Sequence, residues 1–262
     1  MTQVDTKTVR WQGNAQPEAI DILKADGGMI VSPTKVGYII MTSDDKGLER
    51  KFAAKNRKRN KPGVVLCGSL DQVKQLAQMT PEIEAMYQKH WDEDILLGCI
   101  LPWQEEAKNA IPNDGTKDLM MDQRETSCFV IKFGKPSEQI AKTMWEEYGK
   151  FSFASSANPS GKGNRGLVTG IGEQIEDAAD LIIEADDYVA SIQPDKTAET
   201  RYEQGVMVSM VDESGQLVPQ QNGAVGVQPA PVVIRKGLDV DKIMKIMSDI
   251  FSTWDYRHGY YY

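Results

Sequence analysis

A run of small polar residues, Ser155-Ser156-Ala157-Asn158-Pro159-Ser160-Gly161, offers many hydrogen-bond donors and little bulk. Hydroxyl, amide and glycine residues in such a run allow the backbone and side chains to crowd around an anionic ligand. Ser, Asn, Pro and Gly also dominate ordinary turns, so a plain strand-to-loop turn is the alternative interpretation. By itself the pattern favours the turn, and other segments have to decide between the two.

A second segment with chemical potential is the basic stretch 55–61, which contains five lysine or arginine residues. Lys55 offers a compact positive charge and Arg57 a planar fork of donors, and both groups bind phosphate well. The alternative is a solvated helix end, where basic side chains complement the helix dipole. For the other three basic residues we prefer the solvated helix end, although five positive charges in seven residues also suit RNA phosphates.

Composition narrows the class of protein. The chain has 262 residues, 40% of them hydrophobic and 26% charged, which is ordinary for a globular α/β domain with a real core. The formal net charge of −8 argues against a wide nucleic-acid-binding face. No segment is long and apolar enough to span a bilayer, and the polar start of the sequence has no signal-peptide pattern. We therefore expect a cytoplasmic protein without a membrane partner.

Cysteine and histidine provide no catalytic or metal pattern. Cys67, Cys99 and Cys128 each lie inside an apolar run, as core residues do, and their spacing indicates neither a disulfide framework nor a metal site. His90 and His258 are far from any nucleophile–base pattern in the sequence. No P-loop and no strand-linked Gly-x-Gly-x-x-Gly is present, so neither of these nucleotide-binding folds competes.

Alternating strands and helices have to position the two polar segments. A helix capped by Asp44 or Asp45 leads into the basic stretch, and a helix over 136–148 ends at Gly149. The strand predicted over 151–154 then leads directly into the polar run. Residues 104–125 are polar and predict a loop or flap. The alternation indicates an α/β layer architecture.

Four segments occur in the order typical of the YrdC/YciO family, which the chain resembles. They are Gly28-Met29-Ile30-Val31-Ser32-Pro33-Thr34-Lys35-Val36-Gly37-Tyr38, Lys55-x-Arg57, the polar run, and Val232-Val233-Ile234-Arg235-Lys236-Gly237. The polar run is the most specific match. The resemblance implies the fold class α/β, a single-domain twisted mixed sheet flanked by helices. We expect a flexible N-terminal arm over 1–15, one YrdC-like domain over 16–250 and an aromatic C-terminal tail over 251–262.

The family includes threonylcarbamoyl-adenylate synthases, which use ATP, bicarbonate and L-threonine in tRNA modification. The resemblance therefore implies ATP and Mg²⁺ as ligands, with no metal-binding protein residue assigned. It implies catalytic roles for Lys55 and Arg57, and nucleotide binding by these two residues with Ser156, Asn158 and Arg235. The substrate-binding residues that it implies are Thr34, Lys35, Tyr38 and Ser155.

The chain departs from the family pattern at several segments, and those on the amine-binding side are Lys35 after Thr34, the absent Pro-Gly-Pro-x-Thr and the missing strand arginine. Trp91-Asp92-Glu93-Asp94-Ile95-Leu96 stands where the family carries Pro-Gly-Pro-x-Thr, and Ile131 or Lys132 stands where it carries a strand arginine. Val206-Met207-Val208 replaces a Pro-Ser-Thr segment. We therefore expect a divergent member that forms a carbamoyl-adenylate-type intermediate, with threonine or another amine. The alternative is a non-catalytic YrdC-fold module that binds nucleotide or RNA, such as tRNA or double-stranded RNA.

The acidic replacement itself has two interpretations. Asp92, Glu93 and Asp94 are either a drifted helix end or carboxylates that face a metal or an amine. Partner proteins of tRNA modification are further expected partners by resemblance. The sequence assigns no role to the aromatic tail and does not name the amine.

Overall fold

A computed structural model describes residues 7–56, 63–159 and 161–259. The strands are β1 (Thr8–Arg10), β2 (Met29–Thr34), β3 (Gly37–Thr42), β4 (Val64–Leu66), β5 (Leu97–Pro102), β6 (Thr126–Ile131), β7 (Phe153–Ser156), β8 (Leu181–Glu184), β9 (Val206–Ser209), β10 (Val232–Arg235) and β11 (Asp255–Tyr256). The helices are α1 (Pro17–Lys24), α2 (Asp45–Ala54), α3 (Leu70–Leu76), α4 (Pro81–Asp92), α5 (Glu105–Ala110), α6 (Thr116–Met120), α7 (Lys135–Tyr148), α8 (Glu173–Ala178), α9 (Asp186–Ile192) and α10 (Val240–Ile250).

Contacts divide the chain into two compact units. The first unit comprises Met1–Arg59 and Gly134–Glu203, and the second comprises Asn60–Phe133 and Gln204–Tyr262. Each unit has its own strands, helices and buried residues. The predicted class, a twisted mixed α/β sheet flanked by helices, is confirmed. The division into an arm, one domain and a tail remains a prediction.

The first unit contains a mixed set of strands in the order β1-β8-β2-β3-β7. β8 lies parallel to both β1 and β2, whereas β2, β3 and β7 pair antiparallel. Every residue of β2 is buried, which is expected of a strand covered on both faces. Buried apolar side chains such as Met29, Val31 and Ile40 form the core around these strands.

Helix α7 ends where the sequence predicts. Gly149 takes a left-handed conformation with φ 61°, which a glycine adopts at no steric cost. Ile140, Ala141 and Met144 form its buried face. The chain then enters β7, which begins at Phe153 and runs through Ser156, two residues beyond the predicted strand end at 154. The two serines of the polar run therefore belong to a strand.

The second unit contains strands in the order β4-β6-β5-β9-β10-β11. Parallel and antiparallel pairs alternate from β4 to β11, so this part is mixed as well. Trp103 is 1% exposed, packs edge-on against Phe129 and donates from Nε1 to Ser127 Oγ at 2.8 Å. An aromatic core residue with its polar atom satisfied is the stable arrangement for a buried tryptophan.

Several short helices and strands lie in stretches that are mostly polar, and the sequence pattern did not predict them. Residues 104–125 contain α5 and α6 rather than only a loop, because Leu119 and Met120 of α6 are buried although their neighbours are polar. The predicted arm contains β1, whose three residues pair with β8. The predicted tail contains β11, which pairs with β10. Hydrogen bonds to a neighbouring strand stabilise these short strands, and their side chains show no alternating apolar pattern that would have predicted them.

The three cysteines are buried and free of disulfides, as expected of core residues. Burial raises the pKa of Cys128 to about 12 and raises the pKa of Cys67 and Cys99 as well. A thiol in such surroundings stays protonated and unreactive at neutral pH. No helix among the described residues is long and apolar enough to cross a membrane.

His90, at the end of α4, gives the fold a pH dependence. Its side chain is 0% exposed, Nδ1 lies 2.7 Å from the Met86 carbonyl oxygen, and burial lowers its pKa. The unfolded chain takes up this proton near the ordinary histidine value of about 6.5, whereas the folded chain does so only at lower pH. The free energy of unfolding therefore falls as the pH drops below that value.

Denaturation of the wild type between pH 7 and 5.5 should show this loss, with His90 contributing a slope of up to about 1.4 kcal/mol per pH unit. His90→Gln should flatten the slope, because the titrating group is gone. His258→Gln is the control, since His258 is exposed. Equal slopes in the wild type and in His90→Gln would contradict the assignment.

Candidate functional site

The site begins at the end of α2, where Lys55 meets the polar run. Asp44 caps the start of α2 by accepting from Gly47 N at 2.7 Å, as predicted, and Lys55 follows its last turn. Lys55 is 5% exposed, and its Nζ donates to the Ser156 carbonyl oxygen and lies 3.2 Å from Ser156 Oγ. Two residues 101 positions apart in the sequence therefore meet in the first unit.

Strand pairing places Ser156 for this contact. β7 pairs with β3 so that Ser156 lies opposite Ile39, and the next residue, Ala157, donates its N–H to the Tyr38 carbonyl oxygen at 2.8 Å. Ser156 is exposed. Ser155 points elsewhere: its Oγ is buried and has no hydrogen-bond partner among the residues that the structure describes.

Asn158 stabilises the loop in which it lies. Its Nδ2 donates to the Pro159 carbonyl oxygen at 2.9 Å and also to the carbonyl oxygen of Lys162. Asn158 is half-buried and directly follows the Ser156 contact in the chain. The loop is therefore tightly folded, and its conformation depends on this amide.

Asn164 is a residue that sequence analysis missed. It is 5% exposed, and its Nδ2 donates to the carbonyl oxygens of Tyr38 and Ala157 at 2.9 and 3.0 Å. Its Oδ1 accepts from Tyr38 N at 3.2 Å and from Gly166 N at 3.0 Å. The only sequence signal was an asparagine in a glycine-rich loop, which is also typical of a plain turn. The side chain joins the polar loop to β3.

Thr34 and Lys35 lie at the turn between β2 and β3. Thr34 is 2% exposed; its Oγ1 donates to the Gly37 carbonyl oxygen at 2.7 Å and accepts from Val36 N at 3.3 Å. Its hydroxyl thus stabilises the turn. Lys35 is 5% exposed. A role of either residue in substrate binding remains a prediction.

Tyr38 is a packing residue in this structure. It is 1% exposed, and its hydroxyl donates to Asp186 Oδ1 at 2.5 Å and accepts from Ala185 N at 2.9 Å. Burial and the Asp186 carboxylate raise the pKa of this phenol. Because both hydrogen-bonding directions are used, the placement favours attachment of β3 to the start of α9 over substrate contact.

The two arginines predicted for the site are placed differently. Arg57 lies outside the residues that the structure describes. Arg235 lies in the second unit, where its Nε donates to the Gly205 carbonyl oxygen at 2.9 Å. The predicted residues that the structure brings into direct contact are thus Lys55 and Ser156, and Asn158 follows in the same loop.

The acidic residues 92–94, which stand where the family carries Pro-Gly-Pro-x-Thr, have interaction partners nearby in the second unit. Asp92 accepts a hydrogen bond from Gln88 at 2.8 Å. Glu93 forms an ion pair with Lys89 at 2.7 Å. Asp94 forms an ion pair with Lys132 at 3.2 Å. The Lys89 ammonium lowers the pKa of the Glu93 carboxyl. These contacts favour the interpretation of a helix end over carboxylates that await a cationic ligand.

Lys132 explains two departures from the family pattern together. Its Nζ lies 4.3 Å from the centre of the Trp91 ring as well as beside Asp94. Ile131 is 0% exposed and belongs to the core. A cation between an aromatic face and a carboxylate is a stable local arrangement. Neither residue therefore replaces the strand arginine as a ligand-facing cation.

One acidic group among the described residues has metal-like geometry. Oxygens of Asp26, Asp44 and Asp45 lie within 4.8 Å of one another. Asp44, however, caps α2 and also accepts from Gly27 N at 2.9 Å, and Asp26 pairs with Lys46. The group lies at the start of α2, about 15 Å along the helix from Lys55. It does not belong to the candidate site.

Solved structures show the same fold. A hypothetical protein, smu.1377c from Streptococcus mutans UA159, is 66% identical with a TM-score of 0.94, covering 98% of this chain and 99% of that one. Sua5 from P. abyssi, solved with L-threonine, is 23% identical with a TM-score of 0.59, covering 89% and 57%. E. coli YciO is 16% identical with a TM-score of 0.55, covering 88% and 94%.

The more distant likenesses concern the fold alone, because the sequence identities are low. The chain spans less than two thirds of the length of Sua5. A comparison with curated proteins found no match to the sequence. The profile of the Sua5/YciO/YrdC family, described as telomere recombination, matches residues 22–205. Because this match covers more than half of the chain, the protein belongs to the Sua5/YciO/YrdC family.

Proposed function

We propose that the first unit binds the phosphate groups of a nucleotide, and that the protein forms a carbamoyl-adenylate-type intermediate from ATP, bicarbonate and an amine. One observation supports this most strongly: the Lys55 ammonium lies against the exposed Ser156 at the start of a tight polar loop. A lysine charge beside a hydroxyl and loop amides suits phosphate oxygens.

In the proposed reaction, the amine nitrogen first bonds to the carbon of bicarbonate, and a carbamate forms with release of water. A carbamate oxygen then attacks the α-phosphorus of ATP, the bond from that phosphorus to the bridging oxygen breaks, and pyrophosphate leaves with the bond electrons. Lys55 would stabilise negative charge that develops on the phosphate oxygens. Arg57 is proposed to contribute a further cation.

In this proposal Mg²⁺ would be held mainly by the phosphate groups of the nucleotide. Mg²⁺ prefers oxygen ligands, keeps several waters and is commonly held by substrate phosphates together with one or two protein groups. The Ser156 hydroxyl is a suitable oxygen beside the proposed phosphates. When bound, the ion would neutralise phosphate charge. The aspartates at the start of α2 are already used for capping and ion pairing.

Pyrophosphate release tests the reaction. Release should require ATP, bicarbonate and an amine together, and omission of bicarbonate should reduce it to the background of simple ATP hydrolysis. ATP binding without pyrophosphate release for any amine would instead support the non-catalytic module. Absence of ATP binding would contradict nucleotide binding by the first unit and would leave RNA as the ligand of the non-catalytic module.

L-Threonine should be a poor substrate in the same assay. Recognition of an amino acid requires a cation for its carboxylate and a polar partner for its hydroxyl, and discrimination fails without them. Ile131 is buried, Lys132 is engaged with Asp94, and Val206-Met207-Val208 has no hydroxyl. Lys35, which the sequence offers as a replacement for the lost cation, is itself buried.

The measurement compares threonine with ammonia, carbamoyl phosphate and several amines. A family member that uses threonine should be assayed in parallel as the reference. Turnover with threonine comparable to that of the reference would show that the departures do not affect amine recognition.

A further inference from the structure

The loop that follows Asn158 has a backbone suited to binding an anion. Gly161, Arg165 and Gly166 have φ values of 80°, 56° and 68°, in the left-handed region. In this turn the N–H of Gly166 donates to Asn164 Oδ1, and the surface left for an anion is formed by the N–H of Arg165 beside Gly163. Asn158 contacts the carbonyl oxygen of Lys162 in this loop, so the surface is continuous with the candidate site.

A carboxylate of the protein already occupies this surface. Glu203 Oε1 accepts the backbone N–H of Arg165. The same carboxylate lies directly over Gly163, where any Cβ would overlap its oxygens. Glu203 is exposed and terminates the second segment of the first unit. Its carboxylate therefore holds a position that an external anionic group could reach.

A second observation is that a positive charge lies beside this loop. Arg201 packs against Gly166, and its Nη1 is buried without a hydrogen-bond partner in the described part of the chain. Its Nε lies 3.4 Å from the Thr197 carbonyl oxygen, which is a weak contact. The guanidinium charge adjoining Gly166 favours an anion on this loop.

We propose that the loop Gly161–Gly166 binds a phosphate group of the ligand at the position that Glu203 holds, and that Glu203 must leave before the phosphate binds. The inference rests on the proposed function in one respect, since it takes the ligand to be a nucleotide polyphosphate. Glu203 thus acts as an internal competitor, and the position of its carboxylate over Gly163 and beside the Arg165 N–H is the Glu203 seat.

The polyphosphate binds only to molecules in which Glu203 has left the seat. The apparent affinity for polyphosphate is therefore the intrinsic affinity multiplied by the fraction of such molecules. One charge-assisted hydrogen bond at an exposed position keeps the seat closed in most molecules. Removal of the Glu203 side chain should therefore tighten polyphosphate binding about fivefold. Displacement of the same carboxylate should free the Arg165 amide.

The matched control is Glu199, a second carboxylate on the same segment. Hydrogen bonding to Thr197 lowers its pKa, and the charges of Arg165 and Arg201 lower it further, so Glu199 lies in the field of the same arginines. Glu199→Ala removes the same charge as Glu203→Ala but leaves the seat occupied. A general electrostatic effect would be equal in the two variants.

Titration calorimetry with inorganic tripolyphosphate and with ATP measures the effect. The expected result is a gain of about fivefold for Glu203→Ala and a much smaller gain for Glu199→Ala. Equal gains, or no gain with tripolyphosphate, would overturn the inference. Lys55-dependent ATP binding without a gain in Glu203→Ala would leave the proposed function standing. A gain in tripolyphosphate affinity without pyrophosphate release from ATP would support the anion site at Glu203 and contradict the proposed reaction.

Gly163→Ala provides a test that keeps the charge. Its Cβ should push the carboxylate out of the seat, since the overlapping atoms are the mobile end of a side chain. The amide proton resonance of Arg165 should move to the same position in Gly163→Ala and Glu203→Ala, and tripolyphosphate should reverse this shift in Glu203→Ala. An unchanged Arg165 resonance in both variants would show that the carboxylate does not hold the seat in solution.

Discussion

Replacement of Lys55 by methionine is expected to weaken ATP binding about tenfold or more, because a charge-assisted hydrogen bond to phosphate contributes roughly 1.5–3 kcal/mol. Methionine keeps an apolar stem of similar length in a side chain that is 5% exposed, so packing changes little. Lys55→Ala should weaken binding at least as much. Calorimetric titration with ATP measures both variants.

Lys46 provides the control on the same helix. It is exposed and pairs with Asp26 at the start of α2, away from the polar run. Lys46→Met should leave ATP affinity unchanged within about twofold, because exposed ion pairs contribute little. Equal losses for Lys46→Met and Lys55→Met would show that overall charge, and not the Ser156 contact, determines binding.

The sequence makes a parallel prediction for the basic stretch. Arg57→Ala should weaken ATP binding as Lys55→Ala does, whereas Lys58→Ala should have much less effect. Both positions lie outside the described residues, so these expectations rest on the sequence pattern and the family resemblance alone. Similar losses in all three variants would contradict a specific phosphate clamp.

Replacement of Asn164 by alanine is expected to destabilise the first unit by about 2–4 kcal/mol. The substitution leaves the polar groups of Tyr38, Ala157 and Gly166 without the partner that now joins them. The released loop should also lose affinity for ATP. Denaturant unfolding and calorimetry measure the two effects, and Asn109→Ala, at an exposed position of α5, is the control.

A double-mutant cycle with Gly37 tests the mechanism of this stabilisation. Gly37 has φ 128°, and a Cβ there would overlap Asn164 Oδ1. Gly37→Ala should therefore cost less in the Asn164→Ala background than in the wild type, because the steric overlap is gone while the backbone strain remains. Strict additivity of the two losses would show that the side chains do not act on each other.

Local signals in the sequence determined much of the fold. Asp44 predicted the start of α2 and Gly149 the end of α7, because caps satisfy backbone groups within a few residues of themselves. The apolar run over 151–154 predicted the strand β7 to within two residues. The order of four short motifs was sufficient to indicate the family, which the profile match then showed.

Elements with weak local signals were missed. β1 and β11 are three and two residues long, and α6 buries two apolar residues within a polar stretch. Their stability comes from partners that are distant in the sequence. A short strand has no preference strong enough to appear in its own residues, since pairing and burial supply most of its stability.

The candidate site divides in the same way. The sequence by itself supplied the residue types of the proposed site, namely Lys55, Ser156 and Asn158, because phosphate binding would require cations, hydroxyls and amides. Only the tertiary structure decided that Lys55 contacts Ser156, that Tyr38 is used in packing, and that Glu203 occupies the neighbouring loop. Contacts between residues far apart in the chain depend on strand register and on left-handed loop residues, and neither leaves a reliable mark in a single sequence.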